Sequence, residues 1–202
     1  MRRGRRGRRG STQSRKLIGI IAEDASDINT IDVFIRKITN AKYSIKSFRG
    51  DGCGKIVGKC HAWSQNLFEQ GCRYLLIFHD LDMNNLTQLR AKLASALGDS
   101  PIERHLIVIP VREIEAWLLA DHAAITAAMK LKTAQKSIAN PETIQNPKER
   151  LARLVYEKSQ HARRYINTVD NVKIANESKP ANLLMRCPSF VPFYNFIATY
   201  IR

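Results

Sequence analysis

The chain has 202 residues, 44% hydrophobic and 25% charged, which is long enough to bury a sizeable core and ordinary for a soluble globular protein. Its charge is unusual, since 33 Lys and Arg stand against 18 Asp and Glu for a formal net of +15, and such a balance favours polyanionic partners. No apolar run approaches the roughly 18 residues needed to span a bilayer, and Leu17 to Ala22 is too short for a signal core, so a cytoplasmic protein without a membrane partner is expected.

Residues 1–16 carry three Arg-Arg-Gly repeats (Arg2, Arg3, Arg5, Arg6, Arg8, Arg9) and hold eight of the positive charges. Such a composition cannot build a core and is expected to be disordered when free. A phosphate-tracking tether and a solubilising tail both fit it. Lys16 to Ala22 reads as a first buried strand that ends at Glu23-Asp24-Ala25-Ser26-Asp27. The helix after it has Ile28, Ile31, Phe34, Ile35 and Ile38 at helical spacing, with Ser26 or Asp24 as N-cap. Glu23 sits on the strand end, where a carboxylate is costly unless paired or metal-bound. Asp27, on the first helical turn, fits either a helix-dipole contact or a site.

Tyr43 to Phe48 is a short second strand leading into Arg49-Gly50-Asp51-Gly52-Cys53-Gly54-Lys55. This loop fails the P-loop template and the G-x-G-x-x-G template, so it reads as a turn with Arg49 and Lys55 available to phosphates. A helix over 55–70 shows Ile56, Cys60, Trp63 and Leu67 on one face. Next comes Leu75-Leu76-Ile77-Phe78-His79-Asp80-Leu81-Asp82, an apolar strand stopping at two carboxylates, and then a helix with Leu86, Leu89, Leu93 and Leu97. Leu106 to Val111 is a further strand, ending in Arg112-Glu113-Ile114-Glu115-Ala116-Trp117-Leu118-Leu119-Ala120-Asp121. This alternation predicts an α/β fold with a mainly parallel sheet of about four strands flanked by helices. From about residue 122 the chain reads as a helical C-terminal cap: Pro147 starts a helix capped by Asn146, and Pro188-Ser189-Phe190 starts a last helix that docks on the sheet. The four cysteines form no C-x-x-C pair and read as reduced thiols.

Acids thus gather at three strand ends: Glu23 with Asp27, Asp80 with Asp82, and Glu113 with Glu115. Converging carboxylates repel one another unless a cation neutralises them, and hard oxygen donors select Mg²⁺ or Mn²⁺, as one or two ions. Two ions are the usual arrangement for phosphodiester cleavage.

A Glu ending strand one, followed by an apolar run ending in Asp-x-Asp, resembles the TOPRIM domain of topoisomerases, primases and related nucleases. The spacing Glu23-x-x-x-Asp27 with Asp80-x-Asp82 is more specifically similar to nucleases of the overcoming-lysogenization-defect type. Arg112 to Asp121, Asn146-Pro147-Lys148-Glu149 and Cys187-Pro188-Ser189-Phe190 resemble a family of small bacterial TOPRIM-related proteins found near mobile-element and phage-defence genes. The resemblance implies a TOPRIM-like core over 17–125 and a packed helical extension over 126–202. It implies metal binding by Glu23, Asp27, Asp80 and Asp82, with Glu113 or Glu115 completing a second site, and it names Lys148 as the late-domain lysine of the nuclease relatives. The catalytic set it implies is Glu23, Asp80, Asp82, Glu115 and Lys148. Asp24 departs from the pattern, which commonly has Gly there. Two functions are therefore expected: a Mg²⁺- or Mn²⁺-dependent nuclease acting on DNA or RNA, with a place in anti-phage defence, or a non-catalytic module of the same fold that binds nucleic acid or partners an ATPase.

Overall fold

Four short segments become the strands β1 (Lys16–Ala22), β2 (Tyr43–Arg49), β3 (Tyr74–Phe78) and β4 (Arg104–Val108), all parallel, in the order β2-β1-β3-β4. The computed structural model describes residues 15–51, 53–132 and 138–202; the tail arginines Arg2, Arg3, Arg5, Arg6, Arg8 and Arg9 lie outside the described residues. β3 is buried at every position because both faces of a parallel sheet are covered, and an alternating pattern would expose one of them.

Side chains alternate across the pleat, and two cores result. Leu76 and Phe78 join Ile18 and Ile20 beneath α1 (Ala25–Ile38). Leu75 and Ile77 join Ile21 beneath α2 (Cys53–Glu69) and α3 (Leu86–Leu97) on the other face. Gly19 lets α2 approach β1, since a Cβ there would lie 2.9 Å from Leu67 Cδ1. The chain leaves β1 toward β2 in one direction and passes from β3 to β4 in the other, so the sheet reverses its winding between β1 and β3. Open α/β sheets hold ligands at such a reversal, beyond the carboxyl ends of the strands.

After β4 come α4 (Glu115–Leu119), α5 (His122–Ala128), a 3-10 turn (Pro141–Thr143), α6 (Pro147–Lys158), α7 (Asn167–Glu177), α8 (Pro180–Arg186) and α9 (Phe190–Tyr200). These helices extend the α1 core, with Phe190, Phe193 and Ile197 of α9 and Leu151 of α6 buried in it. At its centre is the fully buried Trp117, edge-on to Phe34, Phe78 and Phe190. Its indole N–H donates to Ser189 Oγ at 2.7 Å, and Ser189 in turn donates to the buried Glu142 carboxylate. A buried indole N–H needs such a partner. No helix among the described residues is long and apolar enough to cross a membrane.

Candidate functional site

The acids are set by how the strand ends are tied together. Backbone pairing of β3 with β4 runs on past both strands: His79 N–H donates to Val108 O at 3.2 Å, Leu81 N–H to Pro110 O at 3.0 Å, and Asp82 N–H to Arg112 O at 3.0 Å. Asp82 (φ 48°) and Arg112 (φ 68°) both take the left-handed conformation where these loops turn, a cost for residues with a side chain. The Arg112 guanidinium donates back to Asp82 O at 2.6 Å, which locks the pair of loops. On the other flank, Gly50 N–H donates to Ala22 O and Asp51 N–H to Glu23 O, both at 2.9 Å. This places the end of β2, with Arg49, beside Glu23. Lys55 lies on the first turn of α2 at the same edge and pairs with Asp51 at 3.5 Å.

Glu23 and Asp80 therefore face each other across the reversal between β1 and β3. Asp80 N–H points at Glu23 Oε1 at 3.4 Å. His79, only 3% exposed, sets Nδ1 2.8 Å from Asp80 O and 3.4 Å from Glu23 Oε1. A carbonyl oxygen can only accept, so Nδ1 carries the proton and the ring holds the Glu23 carboxylate in place. Burial pushes the Glu23 carboxyl up from its ordinary value, opposed by His79 and the Asp80 N–H.

Asp80 is pushed up far more strongly, first by burial and then by the charges of Asp27, Glu115, Glu23 and Asp82. Four other carboxylates are thus within electrostatic reach of this one. Asp27 is pushed up to about 7 by burial, Asp24 and Glu115. Asp27 also shares a reciprocal capping box with Asp24: Asp27 N–H donates to Asp24 Oδ1 at 3.0 Å, and Asp24 N–H to Asp27 Oδ2 at 3.3 Å. Asp24, not Ser26, is the N-cap of α1, and its φ of −139° is extended backbone open to any residue, so the position needs no glycine.

The two candidates on the β4 side separate clearly. Glu115, 4% exposed, accepts from Tyr165 Oη at 3.2 Å and from Asn171 Nδ2 at 3.1 Å, and its charge acts on both Asp80 and Asp27. Burial and the Glu115 charge push the Tyr165 hydroxyl far up, so it stays a donor. Glu113 lies at the rim, where its Oε2 accepts the backbone N–H of Lys148 at 3.0 Å and so caps α6. Asn146 makes no side-chain cap there; its amide turns to Glu149 at 3.2 Å. The Lys148 ammonium is exposed and is among the causes that lower the Glu113 carboxyl, which burial nevertheless raises overall.

The structure thus brings Glu23, Asp27, Asp80, Asp82 and Glu115 together, with Glu113 and Lys148 at the margin. His79, Tyr165 and Asn171 position the acids without having been singled out in the sequence. His79 carried a signal, being the polar residue that breaks the strand before Asp80, whereas Tyr165 and Asn171 carried none. Among the described residues, no Lys or Arg side chain lies within ion-pairing distance of these acids, and the His79 ring alone among the basic side chains comes close, at 3.4 Å from Glu23. No group of three His, Cys, Asp or Glu side chains among those residues is placed so that it could hold a metal ion. The donor chemistry nonetheless suits a hard divalent cation: the site offers carboxylate oxygen almost alone, and it places charges together that repel in the absence of a cation.

Residues 23–198 match the family described as Domain of unknown function (DUF4276). No curated protein and no solved structure matches the chain.

Proposed function

The chain belongs to the DUF4276 family, and from the arrangement of its acids we propose that it is a Mg²⁺- or Mn²⁺-dependent nuclease hydrolysing phosphodiester bonds of DNA or RNA. The observation that carries the reading is Asp80: a half-buried carboxylate with Glu23, Asp27, Asp82 and Glu115 within electrostatic reach, at the reversal point of the sheet. A fold keeps such mutual repulsion at the cost of stability, and a cation would relieve it. Glu23 and Asp80 would hold the first ion, and Asp82 and Glu115 are the remaining donors. A bound ion would polarise the phosphodiester and lower the pKa of a coordinated water.

The rest of the chemistry falls to the chain. His79 fixes Glu23, while Tyr165 and Asn171 fix Glu115, and these second partners decide how well ligands are oriented. Arg49 and Lys55, at the same edge, neutralise substrate backbone. The net charge of +15 supplies long-range attraction to a polyanion. The TOPRIM-like motifs and the similarity to overcoming-lysogenization-defect nucleases support the reading and bring with it a role in anti-phage defence.

Mn²⁺ titration, with cleavage of plasmid, single-stranded DNA and structured RNA, tests it. Wild type should bind Mn²⁺ and cut, and Asp80→Asn and Glu23→Gln should lose roughly a hundredfold in both. Wild type that binds no Mn²⁺ would end the proposal. One observation favours a second reading, a non-catalytic module that binds nucleic acid or an ATPase: Asp27 and Glu113 are both engaged as helix caps. That reading wins if wild type cuts nothing while the acid variants bind nucleic acid as wild type does.

A further inference from the structure

A concavity opens beside His79 on the α2/α3 side of the sheet. It is a cavity of about 270 Å³ between the first turn of α2 and the entry to α3, and its walls include His79, Asn85, Gln88, Lys92, Val57 and Leu89. None of the acids of the site lines it.

Three observations give its chemistry. The first is His79, 97% buried by its 3% exposure, whose Nδ1 is committed to Asp80 O. Its Nε2 has no hydrogen-bond partner among the described residues and is the polar atom left for the cavity. The second is the excess of donors. Lys92 has no acid partner among the described residues. The Asn85 side-chain oxygen is taken by Gln88 N–H at 3.1 Å, so its amide NH₂ remains. The third is that α2 and α3 both begin here, and neither has an acid in its first turn to offset the positive end of its dipole. Donors and a cation beside the apolar Val57 and Leu89 suit an anionic group attached to a body with an apolar face, which describes a nucleotide.

We propose that this cavity is the subsite for the nucleotide adjoining the phosphodiester held at the acids. Lys92 and Gln88 take its phosphate, the nucleoside lies against Val57 and Leu89, and His79 Nε2 accepts a hydrogen bond from it. His79 joins the two places, because the same ring touches Glu23 at 3.4 Å. The inference rests on the nuclease reading for the role of the cavity, but its occupancy can be measured without catalysis.

The test is an amide-shift NMR titration of the full chain with nucleoside 3′,5′-bisphosphates in EDTA. The shifts should centre on Gly54, Gln88 and Lys92 and should persist in Asp80→Asn. The double variant Gln88→Leu with Lys92→Ala, both at exposed positions that do not threaten folding, should bind at least tenfold more weakly, and Val57→Trp should block the cavity. Shifts centred elsewhere, equal affinity in the double variant, or equal affinity for inorganic phosphate alone would each overturn the subsite. A protein that cuts polynucleotides yet binds no bisphosphate here refutes the subsite alone. One that binds here yet never cuts refutes the nuclease reading instead, and with it the role given to the cavity.

Discussion

Replacing Asp27 by Asn should stabilise the metal-free protein at pH 8 and leave it unchanged at pH 4. The Asp27 carboxyl is pushed from 3.8 up to about 7 by burial, then by Asp24 and Glu115. In the unfolded chain it titrates near its ordinary value of about 3.9. Between about pH 4 and 7 the folded state therefore binds more protons than the unfolded one, so stability falls as pH rises through that window and levels off above it. The gap corresponds to at most about 4 kcal/mol at 1.36 kcal/mol per pH unit. Partial exposure and solvent screening reduce this to about 2 kcal/mol. Asn keeps an oxygen that can accept the Asp24 N–H, at 3.3 Å in the native protein, so the capping box survives the change. Urea denaturation in EDTA at both pH values reads the difference directly. A gain of about 2 kcal/mol at pH 8, and less than about 0.5 kcal/mol at pH 4, is expected. An equal gain at both pH values, or destabilisation at pH 8, would mean that charge crowding is not what Asp27 experiences, and the electrostatic case for the site would fall with it. With saturating Mn²⁺ the gain at pH 8 should shrink, because the cation offsets the Glu115 charge that acts on Asp27.

Three further outcomes follow from the geometry. Glu113→Ala removes the carboxylate that caps Lys148 N–H at 3.0 Å, so it should cost about 1 kcal/mol in thermal or urea unfolding while metal affinity stays within about threefold; a large loss of metal binding would make Glu113 a ligand after all. Tyr165→Phe removes a donor to Glu115 at 3.2 Å and should weaken Mn²⁺ binding by roughly tenfold in a calorimetric titration, with little change in affinity for nucleic acid. Gly19→Ala drives a Cβ to 2.9 Å from Leu67 Cδ1 and should destabilise by about 1–3 kcal/mol, with Leu67→Val in the same chain recovering part of it.

The inner strands β1 and β3 were legible as short apolar runs ended by polar residues, as in Leu75 to Phe78 before His79. Helix faces such as Ile28, Ile31, Phe34 and Ile35 were equally plain, and all four of those residues are buried. What periodicity cannot encode is which strand lies beside which. The adjacency of Glu23 and Asp80 follows from the order β2-β1-β3-β4, and only the folded chain supplies that order. Local rules also fail where a distant group outcompetes them. Asn146 has the identity and position of an N-cap, but the Glu113 carboxylate, 35 residues away, takes the free N–H of α6. Distance also hid Tyr165 and Asn171, whose partner Glu115 lies 50 and 56 residues earlier. Asp24 stands where the resembled pattern commonly has Gly, and its backbone is extended, a conformation open to any residue.

The hold of Tyr165 and Asn171 on Glu115 limits how this protein can be cut or recombined. Glu115 follows the last strand, and its two anchors arrive only with the segment that leads into and forms α7. A fragment ending after α5 would leave that carboxylate with both hydrogen bonds unmet, at about 1–3 kcal/mol for each lost bond. Chimeras between relatives should accordingly keep their acids and their 165–171 segment from the same parent. Exchange of α9, which serves the site only through packing, should be tolerated wherever the volumes of Phe190 and Phe193 are preserved.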